Sequence, residues 1–141
     1  MNCEFDEPLK LSFTSGPNWV EIILRIRTVS EANCTQHWRI KHKRHKQQKR
    51  LVYLLLRPKK HLFSLPCHIT MTRYAPRKLD KHDNLPISLK YILDACCEVL
   101  TGDYPPGRAD ADESIHVTYE QIVSPQYAVK IHLQNGQIAD I

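Results

Sequence analysis

The stretch from Asn84 to Leu100 constrains the fold most. Leu85, Leu89, Ile92, Leu93, Cys96 and Leu100 recur at helical spacing and make one apolar face. Asp83 stands where an N-cap belongs, Pro86 fits a first turn, and Gly102 closes the far end. Such a helix needs a layer to pack on, and the flanking segments supply one. Trp19 to Arg27 (WVEIILRIR) is rich in β-branched residues, and Cys67 to Tyr74 (CHITMTRY) alternates polar with apolar. Both patterns predict strands. Ile115 to Ile122 and Tyr127 to Leu133 alternate likewise, and with Pro125 between them they predict an antiparallel hairpin. A second helix is expected from about His42 to Arg57, ended by Pro58, with Val29 to His37 as the loop before it. Thr101 to Asp110, with two prolines and two glycines, is expected to be a loop. The order strand, helix, strand, helix, strand, strand gives an α+β fold, a single domain over residues 1–141 with a mixed sheet and packed helices.

A chain of 141 residues suits one domain, and 42% hydrophobic content is enough for a core. The longest apolar run, Leu51 to Leu56, is too short to span a bilayer, and no basic start followed by an apolar run opens the sequence. The five cysteines (Cys3, Cys34, Cys67, Cys96 and Cys97) are odd in number and form no CxxC pair, which points to a reducing compartment. The expectation is a cytoplasmic protein without a membrane partner.

The net charge of +5 favours an anionic partner, and its distribution says more. Residues 39–90 carry fifteen Lys or Arg against two acids, Asp80 and Asp83, while both flanks are acidic. Within that segment Arg39, Lys41, Lys43, Arg44, Lys46, Lys49 and Arg50 crowd into twelve positions without an acidic neighbour in sequence. Such charges repel one another unless solvated, and a phosphate backbone would relieve them. Together with Arg77 and Lys78 they are the candidate DNA contacts. Trp38, at the edge of the run, is expected to pack in the core; stacking on an unpaired base is the alternative.

Hydrolysis of a phosphodiester needs an activated water, a clamp on the nonbridging oxygens and help for the leaving oxygen, all of which divalent metal can supply through a few carboxylates. Asp80-Lys81-His82-Asp83 precedes the long helix, and Asp110-Ala111-Asp112 precedes the last strand pair. Lys90 and Asp94 share a helical stripe with Asp83, so Lys90 could face whatever Asp83 binds. Each residue has a plainer role: Asp83 as N-cap, Asp94 as a solvated i, i+4 partner of Lys90, Asp110 and Asp112 as turn acids, His82 as a surface histidine. Cys34, His37, His42 and His45 form a rival zinc set, though at an uncommon spacing.

The run PRKLDKHDNLPISLKYILDACCEVL, followed by DADESIHVTYEQ, resembles the RusA-type Holliday junction resolvases of bacteria and their prophages. The shared pattern is an Arg-rich lead-in, an acidic stretch ending in Asp-Asn-Leu, a helical Lys, a helical Asp and an Asp-containing turn into a strand. It covers roughly residues 73–123; before that, only the order of elements agrees. The resemblance implies a RusA-like homodimer that nicks four-way DNA junctions with Mg²⁺ or Mn²⁺ in recombination and repair. It implies catalysis by Asp83, Asp112 and Lys90, and a metal held by Asp83 and Asp112 with Asp80 or Asp110 as further ligands. Lys81 stands where many members carry an acid, and Asp80, one residue earlier, is its natural substitute. Asp80 and Asp83 can converge only if the chain turns between them. Lys81 also motivates a junction-binding protein that has lost catalysis, and cleavage of flaps or other branched DNA is a further alternative with the same chemistry.

Overall fold

The computed structural model describes residues 12–30, 35–102 and 114–136. Five strands and two long helices follow in the order β1 (Ser12–Ser15), β2 (Trp19–Leu24), α1 (Trp38–Leu56), β3 (Cys67–Ala75), α2 (Asn84–Thr101), β4 (Ile115–Val123) and β5 (Ala128–Asn135), with a 3₁₀ turn at Arg57–Leu62 after α1. They form one five-stranded mixed sheet of order β1-β2-β5-β3-β4. The fold is a small α+β domain, as the sequence pattern predicts.

One expected pairing is wrong. β4 and β5 do not form a hairpin: β4 pairs parallel to β3 from Cys67↔Ile115 to Ala75↔Val123, and β5 pairs antiparallel to the other edge of β3. The long helix is the reason. α2 carries the chain back to the start of β3, so the next strand lies parallel to it. The short link after β4 then passes the end of β3, where Ser124 N donates to Ala75 O at 2.9 Å. Alternation in sequence shows that two segments are strands but not that they are neighbours. β1 is a further difference: four residues are too few to show the alternation that marks a strand. Its turn into β2 uses Gly16, whose Cα lies so close under the Trp19 ring that a Cβ would collide with it.

β2, β3 and β4 run in one direction, and β1 and β5 run against them. Both helices cover one face of the sheet. Val20, Ile22, Leu24, Ile69, Met71, Ile131 and Leu133 pack there against Leu85, Leu89, Ile92 and Cys96 of α2 and Leu51, Val52 and Leu56 of α1. α1 begins four residues before the expected His42, because His37 caps it, its ring Nδ1 accepting from Arg39 N at 3.1 Å. The two helices run parallel: His45 stacks on Tyr91 with ring centroids 3.6 Å apart, and further along Tyr53 and Lys49 both reach Glu98. Since α1 follows β2 and α2 follows β3, both helices start at the carboxyl ends of the parallel strands. That is where ligands bind in sheets of this kind.

Cys67, Cys96 and Cys97 are buried and unbridged. Burial pushes the Cys67 thiol up to about 11 and the Cys96 thiol well above its usual value. Thiolate is therefore scarce at Cys67 and Cys96 near neutral pH, and these two serve packing rather than nucleophilic chemistry. Among the described residues no helix is long and apolar enough to cross a membrane.

Candidate functional site

Beyond β3 the chain is clamped and then turned. Gln121 of β4 holds Leu79 from both sides, its Oε1 accepting from Leu79 N and its Nε2 donating to Leu79 O, each at 2.9 Å. Residues 81–83 form a turn, so the condition for Asp80 and Asp83 to approach one another is met. Asp80 Oδ2 accepts from Asp83 N at 2.9 Å, and Asp80 O accepts from Leu85 N at 2.8 Å. Asp80 therefore satisfies the backbone ahead of α2. Asp83 occupies the N-cap position, but its side chain makes no capping hydrogen bond. The plain reading of Asp83 as a cap thus holds for its position and fails for its chemistry. Both carboxylates are exposed.

A buried arginine holds this corner. Arg73 is 6% exposed. Its Nε donates to Thr28 Oγ1 at 3.0 Å, its Nη1 to Arg77 O at 3.0 Å and its Nη2 to Thr28 O at 3.3 Å. Burial lowers its pKa from the ordinary arginine value, since its acceptors here are neutral oxygens. Ser30 adds a second tie, donating to Asn84 Oδ1 at 2.5 Å. The strand exit at residues 25–30 is thereby joined to both the end of β3 and the start of α2. Sequence reasoning missed Arg73 as part of the site. A signal was present: Cys67, Ile69, Met71 and Arg73 share one face of the strand, and a cation there is out of pattern.

Lys90 does not turn toward Asp83. Its Nζ lies 3.5 Å from Asp94 Oδ2, one turn further from the acid turn. Asp94 is that partner, as expected, but it is buried rather than solvated, with its side chain 8% exposed. The burial is one-sided: Asp94 is enclosed, while the Lys90 side chain is 49% exposed.

The basic side chains divide into two groups. Lys49 pairs with Glu98 at 3.2 Å between the helices, an acidic neighbour that sequence distance concealed. Arg39, Lys43, Lys46 and Arg50 are exposed on α1, Lys41 and Arg44 are half-buried, and Arg77 and Lys78 are exposed beside the acid turn. Lys43 and Arg44 join Arg25 and Arg27 around a cleft of about 440 Å³ floored by Ile26, Ile40 and Leu51. A second cleft of about 370 Å³ lies against the acid turn, lined by Lys78, Lys81, Tyr119, Glu120 and Gln121. Trp38 is 64% exposed, so the expected core packing is incorrect.

The zinc set does not assemble among the described residues: His37 Nδ1 caps α1 and His45 stacks on Tyr91. Cys34 lies outside the described residues, as do Asp110 and Asp112. Among the described residues, no group of three His, Cys, Asp or Glu is placed to hold a metal ion. Ser114, two residues after Asp112 in sequence, accepts from Cys67 N at 2.8 Å, at the amino end of β3. The seven residues from Ser114 to Gln121 put about 23 Å of strand between that end and the acid turn. No family model matches the sequence, and no curated protein matches it.

Proposed function

We propose that this chain is a metal-dependent endonuclease for branched DNA, with four-way junctions as its first substrate, and that it acts as a homodimer in recombination and repair. The observation that carries this reading is the acid turn. Asp80 and Asp83 are the two carboxylates of a strongly basic segment, both are exposed, and Asp83 is not engaged in capping α2. Exposed aspartate oxygens with room for water suit Mg²⁺ or Mn²⁺, which supply a polarised phosphate and an activated water when bound. Asp83 would help hold the metal, and so would Asp80 through the oxygen that does not accept from Asp83 N. Arg77 and Lys78 flank the turn and would bind the phosphates on either side of the cut. Lys90, held by Asp94, would lend its charge to the same phosphate only by leaving that pair.

Chain length bears on how the dimer that the resemblance implies would be arranged. Two residues of chain reach about 7 Å, far less than the strand length between Ser114 and the acid turn. Asp112, with Asp110, would therefore join Asp83 of a second copy more readily than Asp83 of its own chain. A two-fold arrangement would then complete two such sites at once, as cutting a symmetric junction requires.

The test is Mg²⁺- or Mn²⁺-dependent nicking of a synthetic four-way junction, compared with a flap substrate. Wild-type protein should cut, and Asp83→Asn and Asp112→Asn should each fail. Mixing the two dead variants should restore part of the activity, because one site of the mixed dimer has both carboxylates. No cleavage by the wild type sinks the enzyme reading, and no rescue on mixing sinks the shared site. Lys81, beside the acids, supports a second reading in which the chain binds junctions without cutting them. Junction binding that neither requires nor responds to metal would favour it.

A further inference from the structure

We propose that Trp38 is a stacking platform for an unpaired nucleotide of single-stranded DNA, with the neighbouring phosphates held by the cations around the start of α1. The proposal takes DNA as the polymer from the reading above but does not depend on cleavage.

Trp38 is the first residue of α1 and is 64% exposed. Among the described residues its ring contacts come from its own neighbours, with Arg39 Cζ 5.4 Å and the His37 ring 5.6 Å from its centroid. A large indole left mostly in water contributes little burial to the fold, whereas base stacking on such a ring is both strong and tolerant of sequence. The position matters as much as the exposure. His45 stacks on Tyr91, and the same offset carried one heptad back along the two parallel helices would match Trp38 with Asn84. Asn84 directly follows Asp83. A base on Trp38 would thus lie beside the acid turn. On the other flank of α1 the 440 Å³ cleft presents Arg27 and Lys43, beside Arg25 and Arg44, and among the described residues its lining holds no carboxylate. The charge complements a phosphate chain, and the two features together describe a strand with its bases turned out. A base inside a duplex has no free face for the indole, so the preferred ligand is single-stranded.

The test is binding in EDTA, where cutting is suppressed, using a short thymidine oligonucleotide, an abasic oligonucleotide of the same length and a duplex. Trp38→Ala should weaken thymidine binding about tenfold or more, while abasic and duplex binding stay within about twofold. Trp38→Phe should keep most of the affinity. Trp19 stacks on His132 across the sheet, so a Trp19→Phe chain has Trp38 as its remaining indole, and thymidine should quench that fluorescence. Equal wild-type affinity for abasic and thymidine strands overturns the proposal, as does an equal loss on the duplex for Trp38→Ala. Loss of metal-dependent cleavage leaves this result untouched, and failure here leaves cleavage untouched.

Discussion

α1 and α2 lie side by side on one face of the sheet, run in the same direction and differ in what holds them. α2 buries eleven of its residues. α1 buries four, all in its second half: Gln48, Leu51, Val52 and Leu56. Its first half carries the cations and the exposed Trp38. The contrast separates two duties. α2 is fixed by the core and so places the acid turn at its start with little freedom. The first half of α1 contributes little to the core, and Trp38, Arg39, Lys43 and Lys46 there are exposed. Substitutions should therefore act on stability in one helix and on binding in the other.

The largest effect should come from the point where α2 stops being structural. Asp83→Asn removes the charge that the proposed metal would need while leaving no side-chain capping bond to lose. Cleavage should fall at least about 100-fold, since metal polarisation contributes several kcal/mol to such reactions. The urea midpoint should stay where it is. A large fall in stability would mean that Asp83 holds the helix after all. Inside α2 the outcome should reverse. Leu89→Ala opens a cavity at a fully buried site and should cost about 3 kcal/mol in urea denaturation. Leu54→Ala on α1, at 59% exposure, should stay within about 0.5 kcal/mol. Similar costs at the two sites would break the comparison.

The seam between the helices tests how far the two are independent. Tyr53 donates a hydrogen bond to Glu98, which also takes the Lys49 ion pair. Tyr53→Phe should cost about 1.5 kcal/mol, the lower end for a hydrogen bond to a charged acceptor. Burial first, and the Glu98 carboxylate second, push the Tyr53 phenol up to about 12. The sign follows from that. Above pH 10 the unfolded chain releases this proton while the folded chain keeps it, so stability present below pH 10 is lost as pH rises toward 12. Urea midpoints at pH 9 and pH 11 should show the gap between wild type and Tyr53→Phe narrowing at the higher pH. A gap that widens would contradict the shift.

Sequence showed the elements that carry a period and missed the contacts that do not. α2 was legible from its apolar stripe, and β3 from its alternation. The partner of β4 was not, because pairing depends on where the crossover returns the chain. The site divides the same way. Asp80 and Asp83 stood out as two acids in a basic segment, but nothing in sequence revealed that Asp80 would cap the turn and leave Asp83 exposed. Lys49 looked like one more cation of the basic run, since Glu98 is 49 residues away in sequence. Trp38 was expected in the core because most tryptophans are largely buried, and its place at a helix start overrode that tendency.

Lys46 and Lys49 bring the comparison down to one turn of a single helix and to the smallest effect. Lys49 is tied to Glu98, while Lys46 is exposed among like charges. Lys46→Gln should leave stability within about 0.5 kcal/mol, with any change favourable because repulsion along the helix falls. Its effect should appear in DNA binding instead. The slope of log affinity against log salt should shrink by about 1, the amount expected for one lost phosphate contact. Lys49→Gln should do the opposite, lowering the urea midpoint by leaving Glu98 with the Tyr53 hydrogen bond but without its cation, and leaving the salt slope nearly unchanged. Titrating each variant with junction DNA across a range of salt separates the two. Equal slopes for both would mean that Lys49 leaves Glu98 when DNA binds, and that the line between holding and binding runs through the side chain itself rather than between the helices.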